Sequence, residues 1–188
     1  MKPIKRTYAY IGTALLITAA ATAIIKTVRR PSRRILRYAK KFVGIREQGN
    51  NQGWDNADFQ QRMADIGGWR SGDAWCAEFV KMVICSLAHG KALAYFQKTL
   101  HPNVVQTWTN FQTPSNFHKV ITKPEKGCLI FYKSHVEFFD GEAKEGGYNI
   151  VSGNTSFPEG GQGVVAKRRI SAQHDGYTLL GYVKITKL

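Results

Sequence analysis

The hydrophobic pattern of this chain changes period at residues 124–127, and that change constrains the fold more than any other feature. Ahead of it, apolar residues recur at helical spacing. Ile35, Tyr38, Ala39, Phe42 and Val43 stand at i, i+3, i+4, i+7 and i+8, with Arg34, Arg37, Lys40 and Lys41 turned outward. Pro31 breaks whatever helix precedes this one, Ser32 is a suitable N-cap, and Gly44 marks the stop. Phe59, Met63 and Ile66 predict a short second helix before Gly67 and Gly68. The strongest helix is AWCAEFVKMVICSLAHG, with Asp73 as expected N-cap, Gly90 as expected end, and one stripe of Cys76, Phe79, Val80, Val83, Ile84 and Leu87. Val104, Trp108 and Phe111 predict a weaker one. Beyond Gly127 the segments CLIFYK, HVEFFDG, YNIVSG, GVVAKRRI and TLLGYVKI are short, β-branched or aromatic, and separated by glycine-rich turns. Helices first and strands second predict an α+β domain with a mostly antiparallel sheet of about five strands.

At 188 residues, 43% of them apolar and 21% charged, the chain suits one domain with a proper core plus an appendage. Three cysteines without a CxxC pair exclude a closed disulfide framework and argue against structural zinc. The formal charge of +14 invites a nucleic-acid reading until it is located. Residues 1–48 hold 12 Lys/Arg and one acid, whereas residues 49–188 hold 15 Lys/Arg and 12 acids. The basicity therefore belongs to the N-terminus, and no nucleic-acid partner is expected for the body.

Residues 7–25 form a run of 19 without a charge, flanked by Lys2, Lys5 and Arg6 on one side and Lys26, Arg29 and Arg30 on the other. A helix of that length nearly crosses a hydrocarbon core of roughly 30 Å. We read residues 1–30 as an uncleaved transmembrane anchor in contact with the lipid bilayer through residues 7–25, and residues 31–188 as a catalytic domain. A signal peptide cleaved after Ala21-Thr22-Ala23 and a buried soluble helix are the competing readings. The basic flank after the span directs the body to the cytoplasm by the positive-inside tendency, whereas wall chemistry wants it on the other side.

The chemistry starts at Cys76, in the first turn of its helix, where free backbone N–H groups and the macrodipole favour a thiolate. Cys85, nine residues on in mid-helix, and Cys128, at the start of a strand, read as core. A cysteine nucleophile needs an imidazole. Of five histidines, His135 opens a strand that follows a central one, and alternation puts His135, Glu137 and Phe139 on one face. If Phe139 pairs with Tyr148, His135 falls opposite Ser152 with Asn154 as diagonal neighbour, placed to fix the imidazole tautomer. Glu137 is the rival orienter. Trp54, Trp69 and Trp75 lie near the nucleophile in sequence and are candidates to line a substrate groove, with core packing as the competing reading.

The strings GDAWCAEFV, PEKGCLIFYKSHVEF and IVSGNTS together resemble the CHAP domain of bacterial and phage peptidoglycan hydrolases, relatives of the papain-like and NlpC/P60 cysteine peptidases. The likeness covers about residues 35–188. It implies a papain-like fold, Cys76 as nucleophile, His135 as general base and acid, and Asn154 as the orienting residue. Ser152 stands where many members carry an acid, and Gly127-Cys128 where the family has Gly-Asp. Calcium-binding members bear an acid-rich loop ahead of the cysteine, which SGDAW does not match, so neither metal nor cofactor is expected. The implied activity is hydrolysis of an amide in the peptidoglycan stem, as an amidase or endopeptidase, in the setting of a phage lysin. Two other readings remain open: a membrane-anchored wall-binding or virion structural protein without turnover, and a basic membrane-surface adaptor acting through residues 26–41.

Overall fold

The computed structural model describes residues 30–170 and 176–188. The first helix, α1 (Pro31–Ala39), starts with Pro31 at its first position, where the missing N–H costs nothing, and continues into a 3-10 turn at Lys40–Phe42. Ser32 does not cap it. The residue is buried, and its Oγ donates to the Ile185 carbonyl at 2.9 Å, tying α1 to the sheet. A two-stranded ribbon follows, β1 (Glu47–Gln48) against β2 (Gly53–Trp54). Helix α2 (Ala57–Arg62) is capped by Asn56, whose Oδ1 accepts from the Phe59 N–H at 2.8 Å. It widens into a π turn at Met63–Gly67 and ends on left-handed Gly68.

The central helix α3 (Cys76–Cys85) is shorter than the pattern predicts. Its flanking residue is Trp75 rather than Asp73, and Gly90 opens the next helix, α4 (Gly90–Thr99), instead of closing this one. The run KALAYF is rich in good helix formers, and it starts a new helix once the apolar stripe of α3 is used up. Helix α5 (Val104–Phe111) completes the helical half, capped by Asn103.

The second half is a six-stranded antiparallel sheet: β3 (His118–Ile121), β4 (Leu129–Tyr132), β5 (Val136–Glu142), β6 (Tyr148–Ser156), β7 (Gln162–Arg169) and β8 (Leu179–Ile185). Their spatial order is β3-β8-β4-β5-β6-β7, with every neighbouring pair antiparallel. The α+β class and antiparallel sheet stand as expected. In this sheet the strand not expected from the sequence is β3, a four-residue piece on the edge, and the short β1–β2 ribbon was not expected either.

Alternation sorts the strands into two faces. Leu129, Phe131, Val136, Phe138, Val151 and Val183 join the large core shared with the helices, whereas Cys128, Ile130, Tyr132, Phe139 and Ile150 form a second cluster. Helix α3 packs on β5 and β6. Gly153 makes that close approach possible: a Cβ there would come within 2.7 Å of the Trp75 ring and 2.9 Å of Phe79. Among the described residues no helix is long and apolar enough to cross a membrane. The expected anchor, residues 7–25, lies outside the described residues.

Candidate active site

Cys76 begins α3, so its own N–H and those following it have no partner within the helix. The thiol is nevertheless buried, at 7% exposure. Burial pushes it up to about 11, and Glu78 two residues on adds to that rise. The backbone N–H groups of Val136, Ala77 and Cys76 itself work in the opposite direction. The helix-terminal field expected to favour a thiolate is thus outweighed by loss of water. The Val136 contact is the informative one, because it brings the sulfur to the peptide directly after His135.

His135 is 4% exposed and lies just before β5. Its Nε2 is 2.6 Å from Ser152 Oγ and 3.3 Å from Thr155 Oγ1, and Thr155 Oγ1 donates to Ser152 Oγ at 2.8 Å. Both hydroxyls thus converge on Nε2 of the ring. The ring stacks beside Tyr177 at 5.3 Å, and Tyr177 also interacts electrostatically with Cys76. Tyr177 therefore borders the imidazole. Burial, reinforced by the charges of Arg169 and Lys167, lowers His135 to about 3. Sulfur and imidazole are both neutral near pH 7.

Asn154 does not orient this ring. The register of β5 and β6 pairs Phe139 with Ile150, not Tyr148, and skips Asp140 before pairing Gly141 with Asn149. Ser152 consequently lies across from Glu137 rather than His135. Strand β6 then shifts register again between Ser152 and Thr155, and Asn154 adopts a left-handed φ of 51°. The irregularity takes the asparagine out of the alternation and brings the Ser152 and Thr155 hydroxyls to Nε2. Asn154 Oδ1 is left buried without a hydrogen-bond partner among the described residues.

Glu137 is fully buried beneath the imidazole. Arg169 grips both its oxygens, at 2.8 and 2.6 Å, and the Tyr132 hydroxyl donates to it at 2.8 Å. At 3.7 Å from Nε2 the carboxylate is beyond hydrogen-bond distance. With its charge spent on Arg169 it is no ion-pair partner for a neutral His135. The Arg169 guanidinium also lies 4.7 Å from the Tyr177 ring. Tyr177, Arg169 and Thr155 escaped the sequence reading. Thr155 had a signal in GNTS beside the asparagine, whereas Arg169, at the end of β7, and Tyr177, two residues before β8, had none.

The tryptophans are packing residues. Trp54, Trp69 and Trp75 are all buried, Trp54 standing 4.5 Å from Trp69 and 4.9 Å from Trp75 between ring centroids. Trp75 Nε1 donates to Glu47 Oε2 at 2.6 Å, and Trp69 Nε1 to the Asp73 carbonyl at 3.2 Å. Instead of lining a groove, they build the floor on which α3 is set. Cys85 and Cys128 are buried, as core cysteines would be.

No protein-family model, no curated protein and no solved structure matches this chain.

Proposed function

We propose that this chain is a cysteine hydrolase of amide bonds in the peptidoglycan stem, an amidase or endopeptidase of papain-like architecture acting from a membrane anchor. The observation that carries the reading is the meeting of the Cys76 sulfur with the peptide after His135, at the free N-terminus of α3. As sulfur attacks the carbonyl carbon, His135 Nδ1 accepts the thiol proton, so that charge separates only during the reaction. The C–N bond then breaks, and the imidazolium gives its proton to the departing amine. Water attacks the thioester, releasing the carboxylic acid and restoring the thiol. The unpaired N–H groups at the start of α3 can receive the oxyanion, each such donor being commonly worth about 3 kcal/mol. With its own hydrogen given to the Gly153 carbonyl, Ser152 Oγ is left to accept from Nε2–H, which favours the tautomer with Nδ1 unprotonated. The likeness of GDAWCAEFV, SHVEF and SGNTS to CHAP-domain sequences supports the substrate class and a phage-lysin setting.

A second reading has one observation in its favour: thiol and imidazole are both held neutral, as in a wall-binding domain that has lost turnover. Digestion of purified peptidoglycan, with new termini identified by mass spectrometry, separates the two. The hydrolase reading expects new amine termini with wild type and none with Cys76→Ala. Equal behaviour of the two proteins, with retained wall binding, transfers the assignment to the binding module.

A further inference from the structure

Helix α1 carries a feature that neither catalysis nor folding uses. Arg30, Arg33, Arg34, Arg37 and Lys41 recur at three- and four-residue spacing and share one side of the helix, opposite the buried Ser32, Ile35, Leu36 and Ala39. No acid lies on α1. Lys40 pairs with Asp140 at 2.5 Å, but among the described residues Arg30, Arg33, Arg34 and Arg37 have no acidic partner. At the N-terminal end the stripe runs into a cavity of about 540 Å³, whose charged lining is Arg30, Arg33, Lys126 and Lys184 against Glu125 alone. Lys184 is paired with Glu125 at 2.6 Å, and Lys126 with Asp140 at 3.0 Å. The two arginines are the cations left for a ligand.

We propose that the outer face of α1, with the cavity at its end, is a docking surface for the anionic headgroups of a phospholipid bilayer. The inference rests on the anchor part of the preceding reading and is independent of hydrolysis. Two observations select lipid over other polyanions. The uncharged run ends at residue 25, so the helix begins only six residues beyond it, within about 20 Å even for a fully extended connection. Residues 49–188, by contrast, carry near-balanced charge, with 15 Lys/Arg against 12 acids, so the excess of positive charge belongs to the part of the chain next to the uncharged run in sequence. Each cation held near an anionic membrane surface is worth about fivefold in affinity, and salt screens the effect.

The test uses the full chain in nanodiscs of phosphatidylcholine, alone or mixed with phosphatidylglycerol, acetylated by an amine-reactive reagent. Mass spectrometry follows Lys41, with Lys98 on α4 as internal reference. Docking expects Lys41 to react at least about fivefold more slowly in the anionic discs at low ionic strength, with the difference lost at high salt. R33Q/R34Q/R37Q should remove the protection while leaving Lys98 unchanged. Equal labelling of Lys41 in both discs by incorporated protein overturns the proposal. Should the chain enter neither disc, the anchor reading fails, and sedimentation with vesicles of the two compositions decides. Selective sedimentation with phosphatidylglycerol retains the docking surface, and sedimentation with neither removes it. Protection of Lys41 by polyuridylate but not by anionic discs reassigns the face to nucleic acid.

Discussion

Burial holds both Cys76 and His135 in their neutral forms near pH 7. Iodoacetamide should therefore modify Cys76 slowly at pH 7, with a rate that climbs about tenfold per pH unit toward the thiol's value of about 11. Mass spectrometry of the alkylated peptide measures it, and a plateau near pH 7 would show an activated thiolate instead. Ser152→Ala removes the hydroxyl 2.6 Å from Nε2 and should lower kcat on walls about tenfold, in line with a hydrogen bond worth roughly 1–1.5 kcal/mol. Glu78, buried beside the sulfur with one oxygen unpartnered, is raised by burial to about 7. The fold therefore favours its protonated form, and this contribution is lost as pH rises through 7. Glu78→Gln should raise stability by about 2 kcal/mol at pH 8 and change it little at pH 4, read from denaturant midpoints. The positions of Cys76 and His135 were legible because each announces itself locally, one by its place on a helix and one by preceding a strand. The partner of the imidazole was not, since it depends on an extra residue at Asp140 and a second irregularity before Thr155, and neither leaves a mark in the pattern.

Helix α3 reaches the sheet through one missing side chain. Gly153→Ala would force a methyl against Trp75 and Phe79 and should cost about 1–3 kcal/mol, measured as a shift in urea midpoint at unchanged m-value. The effect belongs to the helix–sheet interface, so activity should fall together with stability. Element existence was well marked in the sequence wherever the apolar period was sustained, as in α1, α3 and β4 to β8. The limits of α3 were not, because Leu87 and Ala88 extend its stripe while the backbone already turns toward Gly90. Strand β3 is hidden for another reason: at the edge of the sheet it is paired on one side only, so His118, Lys119 and Val120 carry no uniform hydrophobic signal.

Across the whole molecule, the polar cluster beneath the site makes stability depend on acid. His135 is lowered to about 3 in the fold against an ordinary 6.5. Its contribution is fully present above pH 6.5 and is lost progressively as pH falls toward 3, because the unfolded chain takes up a proton there and the folded one does not. Because Glu78 works in the opposite direction over this range, the test is a comparison: between pH 7 and pH 4 the wild-type melting temperature should fall relative to that of His135→Gln, and parallel curves for the two proteins would assign the acid sensitivity elsewhere.

The strand order carries a consequence for synthesis. Strand β8 lies between β3 and β4 although it is translated after both, and Tyr177, the ring against His135, immediately precedes it. While residues 177–185 are still inside the ribosome, β3 has no neighbour, β4 has an open flank, and the imidazole lacks its stacking ring. The surroundings of His135 are thus completed late, because the ring that stacks on it is made after seven of the eight strands and is set in place as β8 inserts between β3 and β4.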